Sequence, residues 1–502
     1  MEPFKNIFFR IWFFSVIAGI SLIVIVYSSF IAHAAEIVVK DNNLKLETIV
    51  SELENPTSMA FLDSNEILVL EKDSGKVQRI VNDDISSNPD LIINVNHLNE
   101  RGLLGMAIQN EQEADKGDKE SGEPKYLFLF YTEDRYKRNN TLNSNANLND
   151  NSSFGCDGQE CEANQFNNRL YRYEYKNNKW VNPKLLVDIP IYWNNRVYPE
   201  VYSAIINGET NWSQYRHSEG THQGGKLVLD NNNNIFLVTG DGGTCRNYDS
   251  CYRSLKNGFL SGKTANKVGG FDPVGMGGIL HVTNEGHAVN NGGIIADGIP
   301  GEYYYAYGIR NSFGLDIDPV TGNLWDTESE PAFGDEINLV KPGFNSGWTK
   351  IQGIWPLWNY TNLMRTDEIG YHYPSNVSSD PKLEDFDGRG HYSDPEFAWN
   401  DSRGVTSIRF LDTDKLGKEY ENDILVGDAN GTVYHFELNE NRSGLKLAGS
   451  LTDKIANNDL EIEDSIFVKG LDTITDIQIG PDGYVYILSY SGKIHKVSPK
   501  DT

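Results

Sequence analysis

Beyond residue 36 one pattern recurs along the chain. An alternating apolar run meets a turn of Asp, Asn or Gly, and a second apolar run follows. Ser58-Met59-Ala60-Phe61-Leu62 turns at Asp63-Ser64-Asn65 into Ile67-Leu68-Val69-Leu70, and Asp73-Ser74-Gly75 leads on to Val77–Val81. Gly102–Ile108 and Tyr126–Tyr131 form a second unit, and Lys226–Asp230, Asn231–Asn234 and Ile235–Val238 a third. Tyr305–Gly308 with Leu315–Asp318, then Val405–Phe410 with Asp423–Val426, then Ile474–Val497 complete the series. Period-two alternation predicts half-buried strands, and the turn residues predict hairpins. A small antiparallel sheet cannot bury both faces alone, but sheets set radially cover one another. The expectation is an all-β chain, a six-bladed β-propeller with long inter-strand loop insertions. The unequal spacing of the units also admits two β-sandwiches in tandem, although no Pro/Ser-rich linker divides the chain. The longest insertions are Asn139–Asn167 and the aromatic stretch Trp355–Tyr392, and a short helix is expected within Lys256–Gly278. No Walker or Rossmann glycine fingerprint is present.

Composition narrows the setting. Among 502 residues, 71 are acidic and 44 basic, a net charge of −27. Such a field repels phosphate backbones, so no nucleic-acid partner is expected. Lys5 and Arg10 precede an apolar stretch, Ile11–Ile31, that ends in Ala32-His33-Ala34-Ala35. Residues 1–35 therefore read as a signal peptide or N-terminal membrane anchor, and 36–502 as the propeller. Either outcome makes the protein extracytoplasmic, with the membrane touched through that segment alone. Cys156 and Cys161 lie close in sequence, as do Cys245 and Cys251, which in an exported chain suggests two local disulfides. A zinc site is disfavoured because Cys245 and Cys251 exceed the usual ligand spacing.

Three segments carry candidate chemistry. His222 stands just before Gly224-Gly225 and an inner strand, and Asp241 ends the hairpin that follows. Alone, a histidine beside two glycines is as well explained by packing. At a channel mouth it becomes a candidate general base. Arg310-Asn311 lies between Gly308 and Gly314; a buried arginine there needs an anion, from a ligand or from a structural Asp. Glu328–Asn338 is an acidic Pro/Gly-containing loop that supplies hard oxygen ligands suited to Ca2+, and a solvated loop is the plainer alternative.

Taken together these segments resemble the soluble PQQ-dependent sugar dehydrogenase family, of the glucose/sorbosone dehydrogenase type. The resemblance runs over nearly all of the chain past residue 36. It rests on Glu100–Gly105, His222–Leu227, Thr239–Gly242, Tyr307–Leu315, Glu328–Leu339 and Pro342–Trp348. It implies a six-bladed propeller with PQQ over the channel mouth and a small-molecule sugar or alcohol as substrate. His222 would be the base and Arg310 the stabiliser of the quinone's developing oxyanion. Asp241 would face the sugar. The carbonyls of Glu330 and Pro331 would hold the Ca2+ that polarises PQQ, and Asp335 and Glu336 would serve a second, structural calcium. Glu100, Asn311, Trp399, Asn430, Thr473 and Thr475 fall at cofactor positions.

The chain departs from the family at three of these. Where the family places a Lys and two Arg against the cofactor's carboxylates, the matching positions are Asn430, Thr473 and Thr475. Arg403, Lys256 and Lys267 are the nearby basic residues that would compensate. Three readings remain open: a PQQ- and calcium-dependent sugar dehydrogenase with an unknown electron acceptor, a non-catalytic propeller that binds a glycan or protein at the cell surface, and a calcium-dependent lactonase-like hydrolase.

Overall fold

The computed structural model describes residues 37–110, 124–134, 166–191, 221–243, 262–270, 272–289, 297–331, 333–354 and 382–500. All four cysteines, the N-terminal apolar segment, the loop 139–165 and residues 355–381 lie outside that set. The chain divides into two units, Met1–Val38 and Val39–Thr502.

The second unit is an all-β propeller. Its strands gather into six sheets, antiparallel over most of their pairings. The innermost strands are Pro56–Phe61, Leu103–Asn110, Leu227–Leu229, Ser312–Ile317, Val405–Phe410 and Ile474–Ile479, and each packs beside the next until the last returns to the first. Six apolar clusters fill the spaces between neighbouring sheets. In one of them Trp325, Phe397 and Trp399 pack on Val405, Ile408 and Tyr434. The alternation seen in the sequence is what this arrangement needs: successive strand residues point to opposite faces, and each face meets another sheet.

Local chemistry fixes the hairpins. At the turn after Leu229, Asp230 accepts the amides of Asn232 and Asn234, both at 2.8 Å, while Asn233 takes a left-handed φ of 61°. Asp318 and Asp482 hold their turns in the same way, by accepting the amides of Val320 and Tyr484. Five of the inner strands also carry a register shift one or two residues from their start, between Pro56 and Ser58, Leu103 and Gly105, Ser312 and Gly314, Val405 and Ser407, and Ile474 and Asp476. Such bulges bend a strand and re-aim its first side chains. Glycine lets the inner strands approach: a Cβ on Gly105 would lie 1.8 Å from the Gly225 carbonyl oxygen.

Charged side chains tie the inner strands together. Lys226 reaches from the third sheet to Asp476 of the last, and Asp476 also accepts the Met59 amide at 2.9 Å. Asp316 accepts the Phe410 amide at 2.8 Å and faces Arg409 at 3.5 Å. In place of the helix expected within Lys256–Gly278, the described part holds one short 3-10 turn, Gly262–Ala265. Among the described residues no helix is long and apolar enough to cross a membrane.

The ring closes in the sheet where Leu44–Val50 pairs with Lys493–Pro499, so the first and last strands of the propeller are neighbours. His495 lies in this seam, 1% exposed, with Nδ1 at 3.0 Å from Thr48 Oγ1. Its Nε2 is buried without a partner. Burial, aided by Lys493, pushes the imidazole down to about 4. A histidine held neutral in the fold but titrating near 6.5 when unfolded contributes fully above 6.5, and its contribution falls as the pH drops toward 4. At pH 5 the wild type should have lost roughly 2 kcal/mol through this group relative to pH 7. His495→Gln should remove that increment, as read from urea midpoints at the two pH values.

Candidate active site

His222 lies on the segment entering the third sheet, in the left-handed region with φ 52°. That conformation is costly for a non-glycine residue and needs support from its surroundings. Here the support comes from two sides. The His222 amide donates to Glu100 Oε2 at 2.6 Å, and its carbonyl accepts the Gly242 amide at 3.1 Å. Gly240 allows the approach, since a Cβ there would sit 2.3 Å from the His222 oxygen.

The imidazole is clamped between an acid and a base. Nδ1 lies 2.7 Å from Asp241 Oδ1, and Nε2 lies 2.9 Å from Arg310 Nη2. A carboxylate only accepts and a guanidinium only donates. The proton therefore sits on Nδ1, and the Nε2 lone pair faces Arg310. Burial alone would raise Asp241, but attraction and hydrogen bonding from His222 and the Arg310 charge outweigh it and hold this carboxyl below its ordinary range.

Arg310 is fixed along its whole length. Its amide donates to Glu328 Oε1 at 2.6 Å and its carbonyl accepts the Asp241 amide at 2.8 Å. The guanidinium also donates to the Ser329 carbonyl and lies 5.6 Å from the Trp348 ring centroid. Behind it stand buried acids. Burial, and for Asp326, Glu330 and Glu336 the neighbouring charge of Glu328, raises Asp326, Glu328, Glu330 and Glu336 above the usual carboxylate range. Asn311 Oδ1, Glu330 Oε2 and both carboxylate oxygens of Asp326 are buried with no hydrogen-bond partner among the described residues.

From this centre hydrogen bonds lead across to the next sheets. Asp335 accepts the amides of Glu330, Arg403 and Gly404 at 2.6–2.7 Å, and the Ser402 hydroxyl at 2.7 Å. The Arg403 carbonyl accepts Asn430 Nδ2 at 3.2 Å, and Thr473 Oγ1 donates to the Ala429 carbonyl at 2.8 Å. His222, Arg310, Glu100, Asn311, Glu330, Asn430 and Thr473 thus lie along one connected end of the ring.

Several sequence expectations change. Asp241, expected at the sugar, is 4% exposed and stands behind His222. Trp399, expected at the cofactor, is fully buried between Phe397 and Tyr434 in the core joining two sheets. Asp335 and Glu336, expected to share a calcium, are consecutive strand residues and so face opposite ways. Each is already engaged: Glu336 accepts from Gly353, Asn338 and Ser346. The Glu330 carbonyl, expected on calcium, accepts the Ser402 hydroxyl at 3.1 Å, and Pro331 is half-buried beside it. Among the described residues no three His, Cys, Asp or Glu side chains are placed to hold a metal together. Thr475 is the bulge residue of the last inner strand and turns its hydroxyl to the Leu488 carbonyl. Arg403 pairs with Asp459, and Lys256 lies outside the described residues. Sequence reasoning missed the parts played by Glu328 and Trp348. Both belong to segments that carry the family resemblance, but nothing local says that a Glu will receive the Arg310 amide or that an indole will reach Asp241.

Residues 200–496 match the family model described as Glucose / Sorbosone dehydrogenase. The aldose sugar dehydrogenase YliI of Escherichia coli (strain K12) is 26% identical over 295 residues, 57% of this chain and 62% of that protein. Quinoprotein glucose dehydrogenase B of Acinetobacter calcoaceticus is 28% identical over 179 residues, 34% of this chain and 33% of that one. The matched region thus spans less than two thirds of either relative. The crystal structure of the soluble aldose sugar dehydrogenase of Escherichia coli in its apo-form superposes with a TM-score of 0.58 at 20% identity, covering 91% of this chain and 100% of that one.

The Asp335 network yields a prediction. Asp335→Ala leaves three amides and a hydroxyl without their acceptor, each costing about 1–3 kcal/mol when buried. A loss of at least about 3 kcal/mol in unfolding free energy is expected by denaturant titration.

Proposed function

The chain belongs to the glucose/sorbosone dehydrogenase family, and from that premise we propose that it oxidises a sugar or related alcohol with PQQ and Ca2+. We read each of the six sheets as one blade, with the site at one mouth of the ring. The observation that carries the reading is the clamped imidazole: Nδ1 on Asp241 and Nε2 beside Arg310.

The residues present fit such a cofactor in part. Asn311 Oδ1 and Glu330 Oε2 are buried acceptors without partners, and hard oxygens of this kind suit Ca2+. The Pro331 carbonyl would join them. For a ligand bearing carboxylates the same end offers the Arg310 cation and the neutral Asn430, Thr473 and Thr475. PQQ with its Ca2+ would supply the hydride acceptor. His222 Nε2 would take the proton from a substrate hydroxyl. Asp241 stabilises the imidazolium that results. The Arg310 guanidinium, relieved of Nε2, presents a donor to an oxygen that gains negative charge. Glu100 positions the backbone of His222 and so the base itself. The basic and then apolar N-terminal residues support an exported protein, outside or on the outer face of a membrane.

A second reading has its own observation. Asn430 and Thr473 are neutral and already engaged with backbone carbonyls. A non-catalytic propeller that binds a glycan or a protein would keep the scaffold without the cofactor's cationic partners. Titration of PQQ into the calcium-loaded protein, with dye reduction on a panel of aldoses, separates the two. The dehydrogenase reading expects PQQ-dependent dye reduction that falls at least about 100-fold in His222→Ala, in the range typical of a lost general base. PQQ binding that is undetectable in the folded protein would leave the binding reading standing. Because a charge-assisted contact is worth about 1.5–3 kcal/mol, Asn430→Lys should tighten PQQ about tenfold or more.

A further inference from the structure

Trp348 ends the segment Pro342–Trp348 and takes no part in the proton transfer itself. Its side chain is 4% exposed. Nε1 donates to Asp241 Oδ2 at 2.8 Å, while the Arg310 guanidinium carbon lies 5.6 Å from the ring centroid. One indole therefore touches the partner of the base with its edge and the cation beside the base with its face. The backbone of Trp348 is tied to the same elements. Its amide donates to the Gly308 carbonyl at 3.0 Å, two residues before Arg310, and its carbonyl accepts Asn266 Nδ2 at 2.8 Å.

The Asp241 carboxylate is held at both oxygens. Oδ1 accepts His222 Nδ1 at 2.7 Å and the Gly243 amide at 2.9 Å, and Oδ2 accepts the indole. A carboxylate held at one oxygen can turn about its Cβ–Cγ bond and carry that oxygen out of line. A donor on the second oxygen blocks the turn, and a buried, two-sided hydrogen-bond set of this kind is rigid. The tautomer of a histidine is set by what its other nitrogen meets. Without the indole N–H, Oδ2 loses a donor and the carboxylate's hold on the Nδ1 proton loosens, while Arg310 still faces Nε2.

We propose that Trp348 is a positioning residue whose indole N–H steadies the Asp241 carboxylate and thereby holds Oδ1 in line with the His222 Nδ1 proton. Only the kinetic consequence rests on the dehydrogenase reading; the structural consequence does not. The test is 15N-histidine NMR of the full chain without cofactor, with the His222 resonances assigned by their loss in His222→Gln. Trp348→Phe keeps a ring and deletes the donor. The wild type should show a single Nδ1–H tautomer with a slowly exchanging proton. In Trp348→Phe that proton should exchange with water at least about tenfold faster. The resonances of His281 and His435, paired with Asp230 and Asp423, should stay in place and so report an intact fold. An unchanged Nδ1–H signal in Trp348→Phe would overturn the proposal. Should that variant not fold, the contact is read from its other end: Asp241→Ala should speed exchange of the Trp348 indole proton, and unchanged indole protection would equally overturn it. In calcium- and PQQ-loaded protein, Trp348→Phe should lower kcat about tenfold with KM for the sugar within about twofold. A wild type that reduces no dye would remove the dehydrogenase reading, and the exchange measurement would still decide the role of Trp348.

Discussion

Backbone pairing between Leu44–Val50 and Lys493–Pro499 joins the two ends of the propeller, and the site depends on that closure. His222 comes from the approach to the third sheet, Arg310 from the approach to the fourth, and Asn430 and Thr473 from the fifth and sixth. No two of these approach because of local sequence. They meet because each inner strand must run beside the next, and an open ring would let the terminal sheets part. The six shared apolar clusters supply the bulk of the stabilisation, since each strand face is covered by a neighbour rather than by water.

Buried polarity at the mouth divides into two kinds. Asp335 and Asp241 are braces that accept several donors: Asp335 ties loops of neighbouring sheets, and Asp241 ties separate segments of the third sheet. Burying a carboxylate is expensive unless its oxygens are satisfied, and these two meet that condition. Glu330 and Asn311 are of the other kind, with oxygens left unpartnered beside Arg310. Such atoms beside an arginine and a histidine are candidates for a partner from outside the chain.

Family membership and this geometry bear on function differently. The scaffold is shared by many proteins with a similar outline, and a fold by itself does not specify a reaction. What is specific here is the order Trp348, Asp241, His222, Arg310, a continuous chain from an indole N–H to a guanidinium. Asn430 and Thr473, both neutral, lie on the same end of the ring as that chain.

Much of this was legible in the residues. Alternation and turn residues give some strands of every sheet, because period-two burial and the Asx turn are local consequences of chain geometry, but Tyr304–Tyr307, read as one unit with Leu315–Asp318, pairs instead within the third sheet. His222 and Arg310 were also visible, one before a Gly-Gly pair and one flanked by glycines, because backbone at a site must take conformations that glycine permits. Burial was not legible. Trp399 and Asp241 read as ligand-facing, yet one lies in a core shared by two sheets and the other behind the histidine it orients. Nor could the sequence show that Asp335 caps a loop some seventy residues away, or that Trp348 reaches Asp241 across more than a hundred. The first pairing joins neighbouring sheets and the second joins segments that follow Ile235–Thr239 and Phe344–Asn345, two strands of one sheet far apart in sequence, so only the tertiary structure sets these distances.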